Sequence, residues 1–353
     1  MIVVIGGVQA AVRIDMTMPK APDPKDASQS GISPWEREAY GEGGRFGGMQ
    51  MMPSGDPSKD RISVYFSGCA YHTARLLAGK GRSVSFVSVV GEDPLGLAAI
   101  SELQRAGVDT AHIRMLDAFT AQANVQAMQQ EGPDAAGTVA NGLIRQSMTS
   151  VKVEAKNFLG DTEFWREDDR MQEELTVEQI RESLPLLQGA ELVFADGGMP
   201  EETLQWIASV CRDAGVRLYL DPASMKGGAR AAAVMDGLYG IMPGRQEAEV
   251  MSQQQILSED ELMQAGAFFA EQGIRQIVIT MKGGGLYYKE GMDEGILRPL
   301  RRLRFSETVG AGDVVTAELL HAYADGKPMA EAAQMAMDAA AAHLADCVDE
   351  RRY

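Results

Sequence analysis

Short β-branched runs alternate with helix-length stretches along much of the chain, and that alternation restricts it to one class of fold. Glu191-Leu-Val-Phe-Ala, Arg217-Leu-Tyr-Leu-Asp221, Tyr239-Gly-Ile-Met and Gln276-Ile-Val-Ile-Thr280 read as short buried strands. Pro200 to Ala214 reads as a helix with proline near its start, and Ser258-Glu-Asp-Glu261 resembles a capping box opening a helix to Glu271. Earlier in the chain, Ile2 to Gly7 and Ser83 to Val90 read as strands and residues 70–79 and 94–106 as helices. A hairpin-like pair follows Thr280, and helices over about 312–325 and 328–347 close the chain. Strands alternating with helices predict an α/β fold whose mostly parallel sheet is covered by helices on both faces. Ligands of such sheets gather at the carboxyl ends of the strands.

Two regions break the pattern. Residues 15–60 are rich in Pro, Gly, Met, Asp and Ser and read as a long loop or flap. Residues 130–172 are polar and weakly periodic and read as a second insertion, preceded by a strand candidate at Ala123 to Met128.

The 353 residues, 45% hydrophobic and 24% charged, suffice for a sizeable core. A formal net charge of -17 argues against nucleic-acid binding. An anionic substrate would need backbone N–H groups, a helix N-terminus or a metal ion. Cys69, Cys211 and Cys347 show no CxxC spacing, so neither a disulfide framework nor a zinc site is expected, and reduced thiols in the cytoplasm are. No apolar run reaches the ~20 residues of a membrane-spanning helix, and the N-terminus lacks a basic leader, so no membrane association is expected. His112, His321 and His343 show no metal-ligand spacing.

Glu307-Thr308-Val309-Gly310-Ala311-Gly312-Asp313, ahead of a helix-compatible run, carries the strongest chemical signal. Two glycines flanking alanine let the backbone turn and converge its N–H groups, and the helix start adds its positive end. Such a hole stabilises charge on a transferred phosphoryl group, and Asp313 at its edge can take the proton of an attacking hydroxyl. The plainer alternative is a tight turn with Asp as a helix cap.

This segment resembles the Asp-Thr-x-Gly-Ala-Gly-Asp signature of the ribokinase-like (PfkB) carbohydrate kinases, with Glu307 for the first Asp. Ser67-Gly-Cys-Ala-Tyr-His72-Thr-Ala resembles the family's Gly-Gly-x-x-x-Asn-x-Ala, and Val90-Gly-Glu-Asp-Pro-Leu-Gly96 its Val-Gly-x-Asp-x-x-Gly. Asp196-Gly-Gly-Met-Pro, Asp221-Pro-Ala-Ser224-Met-Lys226 and Pro243-Gly-Arg-Gln-Glu247-Ala-Glu are similar to segments of the pseudouridine kinase branch. The resemblance implies a single ribokinase-like domain over 1–353. A small β lid with insertion segments would occupy about 11–62 and 110–172, and a nucleotide-binding half about 190–353. It implies an ATP- and Mg²⁺-dependent kinase acting on a hydroxyl of a sugar, a pseudouridine-like nucleoside or a related small molecule, with a homodimer through the lid. Asp313 would be the base and Gly310, Ala311 and Gly312 the anion hole. Thr280, Lys282, Gly283, Gly285, Thr308, Ser224 and Lys226 would bind the nucleotide. Gly7, Gln9, Ser67, Gly68 and His72 would face the acceptor, and Glu247 would act on Mg²⁺, through water.

The departures gather at the acceptor end. Ala11 stands where the family carries a sugar-gripping Asp, Ser67 replaces a Gly, His72 an Asn, and Gly244 an Asn. Losing buried polar partners changes which hydroxyls a pocket reads. Two expectations follow: a kinase with an altered acceptor, or a ribokinase-fold protein that binds ligand with weak or no turnover.

Overall fold

In the computed structural model, residues 1–15, 61–116, 149–156, 162–281, 285–299 and 310–350 are described. Thirteen strands lie among them. They are β1 (Ile2–Ile5), β2 (Gln9–Asp15), β3 (Arg61–Ser67), β4 (Val84–Gly91), β5 (Ile113–Leu116), β6 (Val151–Lys156), β7 (Thr162–Glu167), β8 (Leu192–Asp196), β9 (Arg217–Asp221), β10 (Gly240–Ile241), β11 (Gln276–Thr280), β12 (Leu286–Glu290) and β13 (Asp293–Leu297). The principal helices are α1 (Cys69–Gly79), α2 (Pro94–Arg105), α3 (Glu201–Ala214), α4 (Met225–Ala231), α5 (Arg245–Ser252), α6 (Glu259–Glu271), α7 (Ala311–Ala324) and α8 (Met329–Glu350).

Nine strands form one sheet in the order β13-β12-β11-β10-β9-β8-β1-β4-β5. From β11 to β5 every neighbouring pair is parallel, and the β12–β13 hairpin adds an antiparallel edge. β1 is an interior strand, third from the β5 edge, with Ile2 opposite both Val84 of β4 and Leu192 of β8. Its side chains alternate: Val3 and Ile5 join the core under α3 and α6, while Ile2 and Val4 join the core under α1, α2, α7 and α8. Burial on both faces explains why β1 and β8 read as continuous apolar runs. Asp93 caps α2 through Gly96 N–H at 2.8 Å, and Ser258 and Glu261 form the expected capping box on α6.

The second sheet has four strands in the order β3-β2-β6-β7. β2 runs antiparallel to β3 and parallel to β6, and β6 antiparallel to β7. Residues 130–172, read as a polar and weakly periodic insertion with no strand assigned, contain β6 and β7. In β6, Val151, Val153 and Ala155 are buried, and the first two pack with Ala10, a cluster too small to imprint a long periodicity on the sequence. β3 was likewise overlooked beside the long polar run that precedes it. The strand candidate at 123–128 and nearly all of the 15–60 segment lie outside the described residues.

Candidate active site

The site is built at the carboxyl ends of β1, β8 and β9 and the N-terminal ends of α1 and α7. Gly7 follows β1, and its N–H donates to Asp196 Oδ2 at 3.1 Å. Asp196 ends β8, and its Oδ1 accepts from Gly198 N–H at 3.0 Å. Asp221 ends the neighbouring β9 and accepts from Ala223 N–H at 2.9 Å and from Thr316 Oγ1 at 3.0 Å. Thr316 lies one turn beyond Asp313 on α7, so this bond ties the start of α7 to the sheet.

Three carboxyl groups therefore share one region. Burial pushes Asp196 up to about 6, against the opposing pull of its backbone hydrogen bonds. Burial likewise holds Asp221 up at about 6, with Glu247 and Asp196 adding repulsion. Burial raises Asp313 furthest, to about 7, reinforced by the charges of Asp221 and Asp196 and opposed by a hydrogen bond with Cys69. Taking a carboxylate out of water disfavours its charged form, and a like charge nearby adds to that. The Cys69 thiol, at the first position of α1, is raised by burial and by all three carboxylates. Sequence reasoning quoted Asp196 and Asp221 but gave them no role, and it passed over Cys69. The usable signal was their placement: both aspartates are the last residues of parallel strands.

Gly310 caps α7 with φ 80°, in the left-handed region that glycine tolerates. A Cβ there would come within 3.1 Å of His343 Nε2, so α8 closes on this turn and His343, which the sequence left without a role, borders the candidate hole. Ala311, Gly312 and Asp313 form the first turn of α7, whose leading N–H groups have no intrahelical partners. The expected hole and base are thus contiguous.

Among the residues expected to face the acceptor, Gly68 caps α1 with φ 130°, and a Cβ on it would lie 2.7 Å from Gly7 O. Only glycine lets the two segments meet so closely. Ser67 lies opposite Gln9, and His72 Nε2 is 3.3 Å from Ser67 Oγ. Burial, and next the charge of Arg75, lowers His72 to about 4, so it is neutral at physiological pH. Gln9 is buried, and its Nε2 donates to Glu167 Oε1 at 2.7 Å, which binds it to β7. Ala11 is fully buried in β2 opposite Tyr65 and offers no polar group.

Among the residues expected to bind the nucleotide, Thr280 ends β11, with its N–H on Pro243 O at 2.9 Å, and Gly285 O accepts from Met281 N–H at 2.8 Å. Ser224 caps α4 through Gly227 N–H at 3.0 Å. Lys226 is engaged elsewhere, with its ammonium 2.7 Å from Asp169 and 2.5 Å from Glu173. Lys282, Gly283 and Thr308 lie outside the described residues. Glu247 stands in the first turn of α5, close enough to Asp221 to raise it. No three His, Cys, Asp or Glu side chains among the described residues are grouped to hold a metal ion. A Mg²⁺ held mainly by phosphate oxygens and water needs few carboxylates, and Glu247 fits that need.

Residues 117–346 match the model of the pfkB family carbohydrate kinases. The chain belongs to that family. Escherichia coli (strain K12) pseudouridine kinase is 29% identical over 163 residues, 46% of this chain and 51% of that protein, so the match spans about half of the relative. Guanosine-inosine kinase of Exiguobacterium acetylicum is 23% identical over 302 residues, 84% of this chain and 90% of the relative. Among solved structures, Arabidopsis thaliana ribokinase complexed with ribose and ATP superposes with a TM-score of 0.67 at 16% identity, covering 96% of this chain and 90% of the other. The fold of this pfkB protein is ribokinase-like, and its named relatives are small-molecule kinases. No helix among the described residues is long and apolar enough to cross a membrane.

Proposed function

We propose that the protein transfers the γ-phosphoryl group of ATP to a hydroxyl of a nucleoside or sugar, with Asp313 as the base. One observation carries this reading: a carboxyl group pushed up to about 7 stands in the first turn of α7, beside the left-handed Gly310 turn. A base whose proton affinity lies near the working pH takes a hydroxyl proton without being trapped by it. Asp313 accepts the acceptor's proton as the oxygen attacks. The N–H groups at Gly310, Ala311 and Gly312 receive the charge on the transferred group. Thr280 and Gly285 line the nucleotide side. Bound Mg²⁺ would neutralise phosphate charge, with Glu247 as the nearby carboxylate. Intact placement of the base and hole favours turnover over a binding-only protein.

The four-stranded sheet is the proposed lid over the acceptor. Val12, Ile14, Ile62 and Val64 lie on one face of it, with Ile62 70% and Val64 61% exposed on the edge strand β3. A second copy of the chain laid on this face is the proposed dimer, since an exposed apolar edge is otherwise a liability. The functional test is ADP formation by purified protein with ATP and Mg²⁺ against a panel of nucleosides and sugars, with Asp313→Asn alongside. Acceptor-dependent ADP release that falls at least ~10²-fold in the variant is expected. Ligand binding without acceptor-dependent ADP release by wild type would leave the binding-only reading.

A further inference from the structure

Gln172 belongs to the short helical turn Arg170–Glu173 that leaves β7. No motif contains it. Its side chain nevertheless enters the acceptor side of the site. A Cβ on Gly7 would come within 2.5 Å of Gln172 Cγ and 2.8 Å of its Nε2. A Cβ on Gly198 would lie 2.7 Å from Gln172 Oε1 and 3.0 Å from Asp196 Oδ1. The carboxamide thus fills a slot that exists because both positions are glycine, and it ends beside the Asp196 carboxylate.

The segment that carries it is held firmly. Arg230 donates to both oxygens of Glu173 at 2.8 and 2.9 Å and to Gly198 O and Met199 O at 2.7 and 3.0 Å. Met171 N–H donates to Ser150 Oγ at 3.2 Å, and Asp168 holds Arg170 by a paired contact at 2.9 and 2.8 Å. Among the described residues the Gln172 carboxamide itself makes no hydrogen bond. A side chain with two donors and an acceptor, on a segment held by its neighbours and without a hydrogen-bond partner among the described residues, is suited to meet a ligand. Asp196 accepts backbone N–H groups from Gly7, Gly198 and Ala70, and its two oxygens keep lone-pair capacity for a hydroxyl donor.

We propose that Gln172, acting beside Asp196, hydrogen-bonds a ribosyl hydroxyl of the acceptor and is a specificity-determining residue of this protein. The carboxamide N–H₂ donates to the hydroxyl oxygen, and the adjacent carboxylate accepts the hydroxyl hydrogen. This rests on the kinase reading for where the acceptor lies, while the contact itself concerns binding.

The test compares wild type, Gln172→Ala and Gln172→Glu, with pseudouridine and inosine as probes. Affinity is measured by calorimetry, acceptor and ATP KM by ADP release, and Tm by melting. Loss of one hydrogen bond predicts about a 10-fold weaker acceptor affinity in Gln172→Ala, with ATP affinity and Tm close to wild type. Gln172→Glu keeps the stem and volume but loses the N–H₂ donor and sets a second negative charge beside Asp196, so it should weaken the acceptor at least as much. Acceptor affinity unchanged in either variant overturns the proposal. So does a parallel loss of acceptor affinity, ATP affinity and Tm in both, which would mark a structural role. Failure of wild type to bind either nucleoside also overturns it. Binding that depends on Gln172 with no ADP released sinks the kinase reading and leaves this one standing.

Discussion

At the scale of single residues, the chemistry turns on what burial does to carboxyl groups. Asp313, raised to about 7, must be ionised to act as a base. The rate with a good acceptor should therefore rise with pH through about 7 and level off above it, a limb that Asp313→Asn removes; a rate flat from pH 5 to 8 would deny Asp313 the role. The same shift bears on stability. The carboxyl of the unfolded chain ionises near its ordinary value, whereas the folded one holds its proton up to about 7. Across that window the folded state binds more protons, so stability falls as pH rises through it. Asp313→Asn should melt higher than wild type near pH 8, on the order of a few degrees, and match it near pH 4, as read by thermal unfolding at the two values. The turn from Gly310 to Asp313 was legible because a Gly-Ala-Gly-Asp run ahead of a helix-compatible stretch is a local feature of the sequence. Asp196, Asp221 and Gln172 were not, because their convergence depends on β1, β8 and β9 lying side by side and on a turn that arrives from the second sheet.

At the scale of elements, the start of α7 offers a paired comparison. Gly310 has φ 80° and His343 3.1 Å from its missing Cβ, whereas an added Cβ on Gly312 meets nothing within 4 Å. Gly310→Ala should cost about 1–2 kcal/mol from the left-handed backbone and the crowding together. Gly312→Ala, inside a helix, should be neutral or gain up to about 1 kcal/mol. Urea unfolding of the two variants checks this, and equal effects would mean that the turn is not held as described. Elements governed by local rules were readable: the α6 capping box, the proline at the start of α3 and the doubly buried strands. β6 was not, because three buried side chains facing a small cluster leave little pattern. β10, with two residues, is fixed by its neighbours β9 and β11 and less by its own sequence.

At the scale of the whole molecule, the proposed lid and the proposed dimer share the four-stranded sheet, so acceptor recognition and assembly can be tested together. If a second copy covers Ile62 and Val64, the double variant Ile62→Lys, Val64→Lys should run as a monomer in light scattering while wild type runs as a dimer. Its acceptor KM should rise more than its ATP KM, because β3 leads directly into Ser67 and Gly68. Identical masses for the two proteins would remove this face from assembly. The position of β1 has another consequence. Ile2 to Ile5 form an interior strand of the large sheet, yet their partners on one side, Leu192 to Ala195, leave the ribosome only after the intervening chain has been made. Pairings that distant in sequence form late and slowly, so the first strand waits with one hydrogen-bonding edge open while the nascent chain grows. A chaperone that holds an extended apolar segment during synthesis would find its substrate in Ile2 to Ile5.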